Sequence, residues 1–231
     1  MSVGSMVFDL DGTLVDHRSA SSSAIKTWIS RTGASTDAEL ALGVAEWTRL
    51  EHLYFSRYLV GEISFRDQRR GRMAELLAFL GRGSSHRLDA LFDCYAELYE
   101  AAWIAFDDVV PALSVLRDLG YRICIFSNGE RAQQERKVER TGLGDHIDGL
   151  ITSSDLGMSK PEPAAFSAAW TALGLHKDRS CYVGDNLDVD VRAAAAAGIR
   201  GVWINRVRDR QDANDVVEIR SLDELGRMPI R

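Results

Sequence analysis

The chain has 231 residues, 45% hydrophobic and 27% charged, with a formal charge of -6, which allows one good core plus a smaller satellite and excludes disorder. The negative balance also excludes a general binder of nucleic acid or anionic membrane, so an anionic ligand must be drawn by a local cluster of cations. No apolar run reaches membrane-spanning length, the first strand-like run starts at Met6 with no room for a signal peptide, and Cys94, Cys124 and Cys181 are odd in number and widely spaced, so a cytoplasmic protein without disulfides is expected.

The stretch Met6-Val7-Phe8-Asp9-Leu10-Asp11-Gly12-Thr13-Leu14-Val15 reads as a short apolar strand that stops in two carboxylates, a glycine and a hydroxyl. Residues i and i+2 of a strand share a face, so Asp9 and Asp11 leave its end pointing the same way, and Gly12 permits a sharp turn beneath them. Two like charges that close need something positive between them, and a hard cation such as Mg²⁺ with oxygen ligands answers that need.

From His17 to about Ala105 apolar residues recur at three- and four-residue spacing: Ile25, Trp28, Ile29; Leu40, Val44, Trp47, Leu50, Tyr54; Met73, Leu76, Leu77, Leu80; and Leu88, Leu91, Phe92, Tyr95, Leu98, Tyr99. The pattern predicts four helices in a small bundle, broken at Gly33, Gly61 and the Gly81 to Ser85 stretch, and expected above the acidic strand end. His17, Arg18, Arg66, Arg69, Arg70 and Arg72 are expected on solvated helix faces. Arg69 also shares the stripe of Met73 and Leu76, so it must either reach water or meet an anion, such as a second acidic group of a substrate.

After Pro111 short apolar strands alternate with helices, the pattern of a doubly wound parallel sheet. Strands are predicted over Arg122 to Phe126, Leu150 to Thr152, Cys181 to Val183 and Gly201 to Ile204, with helices near 112–119, 130–141, 163–173 and 189–197. The expected fold is therefore α/β: a Rossmann-like core from residues 1–16 and 106–231, interrupted by a helical-bundle cap over 17–105. Beyond Arg206, an Arg- and Asp-rich loop and an edge strand near 216–219 are expected. The strands end in Ser127-Asn128-Gly129, Ser153-Ser154-Asp155 and Gly184-Asp185-Asn186, and ligands of such sheets bind beyond the carboxyl ends of the strands.

Together these ends supply Asp9, Asp11, Ser127, Asn128, Lys160 and Asp185: carboxylates, neutral donors and a cation, the inventory for phosphoryl transfer. One carboxylate can attack phosphorus and form an acyl phosphate, while a second protonates the departing oxygen and then activates water. The segments Asp9-Leu10-Asp11-Gly12-Thr13-Leu14, Phe126-Ser127-Asn128-Gly129, Ser159-Lys160-Pro161-Glu162-Pro163 and Gly184-Asp185-Asn186-Leu187-Asp188-Val189-Asp190, in this order, resemble the haloacid dehalogenase-like hydrolases over almost the whole chain. The resemblance implies a nucleophile at Asp9, an acid/base at Asp11, and phosphate contacts from Ser127 and Lys160, and Asn128 is expected at the phosphate beside them. It further implies Mg²⁺ held by Asp9, the Asp11 main-chain carbonyl and Asp185, a supporting carboxylate at Asp190, and a central first strand flanked by the fourth. Asp188 is expected at the surface.

The function this implies is hydrolysis of a small phosphate ester through an aspartyl-phosphate, without nucleic-acid or membrane partners. A dehalogenase, in which the carboxylate attacks carbon, has no developing alkoxide to protonate, and its relatives replace the second aspartate that Asp11 supplies here. A phosphoryl mutase keeps both aspartates and stays open. A signalling receiver module also combines an acidic pair with a Lys-Pro, but it accepts its phosphoryl group on a middle strand, and the middle strands here end in Ser127 and Ser153.

Overall fold

The structure, a computed structural model, describes residues 4–33, 36–207 and 213–228. The chain forms two compact units, Met1–Asp16 with Ile104–Arg231, and His17–Trp103. In chain order the first unit contains β1 (Ser5–Phe8), and the second contains α1 (His17–Thr32), α2 (Asp37–Leu59), α3 (Phe65–Phe79) and α4 (Leu88–Ala101). The first unit resumes with α5 (Val109–Asp118), β2 (Arg122–Ser127), α6 (Arg131–Arg140), β3 (Gly149–Thr152), α7 (Ser153–Leu156), α8 (Pro163–Leu173), β4 (Ser180–Gly184), α9 (Ala193–Ala196), β5 (Arg200–Ile204) and β6 (Val217–Ile219).

The strands form one parallel sheet in the order β3-β2-β1-β4-β5-β6. Their near-continuous apolar runs follow from burial on both faces. Met6, Phe8, Ile123, Ile125 and Val183 pack in one layer with Val109, Leu113 and Leu116 of α5 and Val138 of α6. The alternate residues Val7, Cys124, Phe126 and Tyr182 pack on the other side with Phe166, Ala169 and Trp170 of α8 and with Ala193 and Ala194 of α9. Each large side chain so buried contributes roughly 1.5–3 kcal/mol. The strand order is that of dinucleotide-type doubly wound sheets and not the 2-1-3-4-5 order of receiver modules, which removes the receiver reading. Cys124 and Cys181 are buried and free, and burial pushes their thiols up to about 11 and about 12.

Two expected elements differ. Ser153-Ser154-Asp155 is not an open strand end but the one-turn helix α7, because Thr152 and Asp155 cap each other's backbone N–H groups. The Ser153 and Ser154 hydroxyls accept from Gly129 N and Arg131 N at 2.8 and 2.9 Å, so these residues brace the loop before α6. The helix expected near 189–197 is a π-helical turn, Leu187–Arg192, running into α9. Part of the expected loop after Arg206, residues 208–212, lies outside the described residues, while the edge strand is β6.

Where the chain leaves and re-enters this unit, Asp16 N donates to Ile104 O and Phe106 N to Leu14 O, both at 3.0 Å, and Val15 bridges Ala105 antiparallel. Asp108, before α5, accepts from Arg206, Ser221 Oγ and Leu222 N. Arg206 also donates to Thr13 O at 2.9 and 3.2 Å, tying the loop after Asp11 to the C-terminal segment.

In the helical unit Thr36 and Glu39 form a capping box at α2, and the Ser64 side chain caps α3. Trp28, Trp47, Leu50, Met73, Leu76, Phe92, Tyr95 and Tyr99 form its core. Arg66 and Arg70 pair with Asp89 at the surface, as solvated faces should. Arg69 is half-buried over the Phe92 ring, 3.8 Å from Asp93. Arg72 is the correction. It is 5% exposed, lies over the Trp47 ring and donates to Glu51 Oε1 at 2.6 Å. Glu51 Oε2 also meets His17 Nε2 at 3.2 Å and Ser21 Oγ at 3.3 Å, so His17 too is drawn inward. Position 72 falls one residue short of Met73, close enough to the buried stripe for a guanidinium with a partner to follow it in.

Burial pushes the Glu51 carboxyl up, but Arg72 and then His17 outweigh it and hold the group well below the usual carboxylate range. Its folded value therefore lies below its unfolded value of about 4.3. The pair's stabilisation is complete above that unfolded value and is lost as pH falls through the folded one. Glu51→Gln leaves Arg72 buried without its counter-charge and is expected to cost about 3–5 kcal/mol near pH 7. The gap from wild type should narrow below about pH 4; denaturant melts at both pH values check it.

Candidate active site

The β1–β4 register sets Phe8 against Val183, and Asp9 N donates to Val183 O at 2.9 Å. The two central strands therefore end side by side, bringing Asp9 to Gly184 and Asp185. Into this end comes Lys160. Its ammonium, 3% exposed, donates to Asp9 Oδ1 at 2.7 Å, Asp190 Oδ1 at 2.6 Å and Tyr182 OH at 2.8 Å. Three partners satisfy its three protons. Burial alone would lower the ammonium, but Asp190 and then Asp9 more than offset it and hold it above its ordinary value.

The carboxylates carry the opposite strain. Burial pushes Asp9 up to about 7; Lys160 opposes this and the charge of Asp190 adds to it. Asp185 is also pushed well up, by its low-dielectric surroundings and then by Asp9 and Asp190, although the residue as a whole is exposed. Oxygens of Asp9, Asp185 and Asp190 lie within 4.8 Å of one another. Three carboxylates against one ammonium leave an excess of about two negative charges, and a hard divalent cation with oxygen ligands fits that donor set. Asp190 already serves Lys160, Tyr182 and Asn186 N, so its oxygens are engaged in holding neighbours. Asp188 pairs with Arg192 at the surface, as expected.

Asp11 takes a different direction. Its two oxygens accept from Lys137 Nζ of α6 at 2.6 and 2.8 Å, and Oδ2 also accepts from Gln134 Nε2 at 3.0 Å. Gln134 Nε2 reaches Ser127 Oγ at 2.8 Å as well. Asn128 neither caps α6 nor points away: Lys160 N donates to its Oδ1 at 2.9 Å, and its Nδ2 donates to Lys160 O at 3.0 Å. That pair of hydrogen bonds across the loop gives Lys160 its inward direction. Gly12 turns with φ +88°, and a Cβ there would overlap the Asp185 carboxylate, whose main-chain oxygen accepts from Trp203 Nε1 at 2.9 Å.

The strand ends thus gather every sequence-predicted site residue into the first unit, with Asp11 turned toward α6. Sequence reasoning missed Tyr182, Gln134 and Lys137. Tyr182 sits in an apolar strand where an aromatic reads as core, and only the need of its hydroxyl for a buried partner hints otherwise. Gln134 and Lys137 stand three apart on one helix face, but on a helix of sequence RAQQERKVER inward polar residues do not stand out from solvated ones.

The sheet, the inserted helices and this acidic strand end define a class of hydrolase, and comparison with known proteins agrees. The family model "haloacid dehalogenase-like hydrolase" matches residues 5–198. The chain belongs to that family. Relatives include the N-acylneuraminate-9-phosphatase of Mus musculus, 28% identical over 88% of this chain and 83% of the relative. Another is a glyceraldehyde 3-phosphate phosphatase of Methanopyrus kandleri, 34% identical over 48% of each chain. The chain spans about half the length of the first curated relatives it matches. Among solved structures, YfnB from Bacillus subtilis bound to magnesium matches with TM-score 0.82 at 20% identity, covering 97% of both chains. The L-2-haloacid dehalogenase from Xanthobacter autotrophicus matches with TM-score 0.76 at 20% identity over 98% of both. These structural likenesses establish the fold.

The Gly12 turn yields a comparison of two substitutions. Gly174→Ala places a Cβ at φ +65° in open space and should cost about 1–2 kcal/mol from backbone strain alone. Gly12→Ala adds the overlap with Asp185 and is expected to cost at least about 1 kcal/mol more, read from denaturant midpoints of the two variants.

Proposed function

We propose that this chain is a phosphohydrolase acting on a small-molecule phosphate monoester with Mg²⁺. The observation that carries the reading is the second carboxylate, Asp11, two residues beyond Asp9 and held in a polar setting of its own. Displacement at phosphorus on an alkyl ester expels an alkoxide that needs a proton, whereas expulsion of halide does not. The names of the relatives support it, since phosphatases of phosphoserine, glyceraldehyde 3-phosphate and N-acylneuraminate 9-phosphate are all among them. Asp9 and Asp185 would hold the cation, with the Asp11 main-chain carbonyl that the family resemblance implies, and Asp190 behind them. When bound, the ion supplies positive charge to the phosphoryl oxygens and draws the Asp9 carboxyl to its ionised form.

The chain's own residues carry the rest. An Asp9 oxygen attacks phosphorus; the Asp9–phosphorus bond forms as the ester P–O bond breaks, and Asp11 gives its proton to the departing oxygen. Asp11, now a carboxylate, takes a proton from water, the water oxygen bonds to phosphorus, and the Asp9–phosphorus bond breaks to release inorganic phosphate. Ser127 donates its hydroxyl to a phosphoryl oxygen, and the Lys160 proton that Asp9 Oδ1 accepts at rest turns to another as Asp9 attacks. Asn128 holds Lys160 in place, and Asp190 and Tyr182 fix its ammonium.

Hydrolysis of p-nitrophenyl phosphate tests the proposal. Asp9→Asn should abolish turnover while circular dichroism stays that of the wild type, and a chelator should remove activity that Mg²⁺ restores. Calcium should inhibit, because its looser and higher coordination would engage the Asp9 oxygen that attacks phosphorus. Turnover by Asp9→Asn would overturn the assignment. Full activity in chelator would favour dehalogenation, and a 2-haloacid would then be the next substrate. A panel of phosphate monoesters narrows the substrate class.

A further inference from the structure

The Asp11 carboxylate does not stand free at the strand end; it is gripped from α6. Lys137 is 1% exposed, and its ammonium lies 2.6 and 2.8 Å from the two Asp11 oxygens. A buried lysine costs several kcal/mol to desolvate, and an apolar side chain of similar shape would serve the fold as well or better. Gln134, one turn earlier on α6, joins the grip: its amide nitrogen reaches Asp11 Oδ2 at 3.0 Å and Ser127 Oγ at 2.8 Å. Its carbonyl oxygen is buried and has no partner among the described residues. Such an orphaned acceptor opposes folding. Turning the amide over would give that oxygen a hydroxyl donor at Ser127 but would set it against the Asp11 carboxylate. The same nitrogen also donates to Asn128 O at 3.1 Å, so the amide keeps the orientation that serves Asp11 and that carbonyl, and its own oxygen stays unsatisfied. Asp11, Ser127, Gln134 and Lys137 form one network, outside the Lys160 cluster that serves Asp9.

We propose that Lys137, seconded by Gln134, is a positioning residue that fixes the direction of the Asp11 carboxylate, so that one of its oxygens reaches the leaving group and then the attacking water. The proposal rests on the aspartyl-phosphate reading above. Lys137 approaches from the side of α6, so its pull orients Asp11 without drawing it into the Asp9 cluster. Without it the carboxylate loses both ammonium bonds, and the proton transfer from the attacking water loses the alignment on which its rate depends.

An aryl ester separates this role from a structural one. A p-nitrophenolate leaving group hardly needs protonation, so formation of the phospho-enzyme is spared and only its hydrolysis should slow. Lys137→Met keeps the length of the stem and removes the charge. With p-nitrophenyl phosphate it is expected to lower kcat and KM together by about 10- to 100-fold, leaving kcat/KM within about threefold of wild type. A burst approaching one p-nitrophenolate per enzyme should precede the slow phase. Gln134→Met, which removes the second donor without touching the ion pair, should give the same pattern at about tenfold, and it serves as the test if Lys137→Met does not fold. Adding Lys137→Met to Asp11→Asn should cost nothing further. A fall in kcat with KM unchanged and no burst would overturn the proposal, as would additive loss in the double variant. If Asp11→Asn itself shows neither burst nor slowing, it is the aspartyl-phosphate reading that fails, and this inference with it.

Discussion

The ammonium of Lys160 is the interaction on which the site depends. A charge buried this deeply survives only where every proton has an acceptor, and the central strands and their ends supply all three: Asp9 just after β1, Tyr182 from β4, and Asp190 from the π-helical turn after β4. The requirement runs both ways. Without the lysine, Asp9 and Asp190 would face one another across a low-dielectric space with no cation of the protein's own between them, and one of them would have to take up a proton. The parallel pairing of β1 with β4 is therefore an electrostatic arrangement as much as a topological one.

Two aspartates separated by a single residue end in unlike surroundings. Asp9 looks into the sheet and shares a lysine with Asp190; Asp11 looks to α6 and has a lysine of its own. A strand end alone would have left the two carboxylates in similar polar settings. The turn at Gly12 and the Arg206 contact to Thr13 O fix where the strand end stops, and the two helical neighbourhoods then assign each carboxylate its partner. Separate partners give two groups of one chemical kind separate tasks.

Much of this was legible in the sequence because its physics is local. Strands buried on both faces leave continuous apolar runs, polar residues at their ends break those runs, and Pro163 opens α8 at the first helical position. Asp9, Asp185 and Lys160 were found from such breaks. What could not be read is what depends on a partner distant in sequence. Arg72 looks like any arginine on a polar helix until Glu51 is seen beside it, and Lys137 looks solvated until Asp11 is placed over α6. Ser153 and Asp155 misled for the converse reason, since a hydroxyl or carboxylate at a strand end can serve the adjacent backbone as readily as a ligand.

The short antiparallel stem at Leu14–Asp16 and Ile104–Phe106 has a consequence for how such a chain diversifies. Its backbone bonds close the excursion of the polypeptide into the helical unit at the root, so the core is anchored to two adjacent strands of chain whatever lies between them. The entropy of the long detour is then settled at the stem and grows only logarithmically with the length of what is inserted. Residues can be added to, lost from or exchanged within the helices without removing the backbone bonds of the stem. The stem acts as a socket: the reacting end of the sheet can stay constant while the piece plugged into it is rewritten.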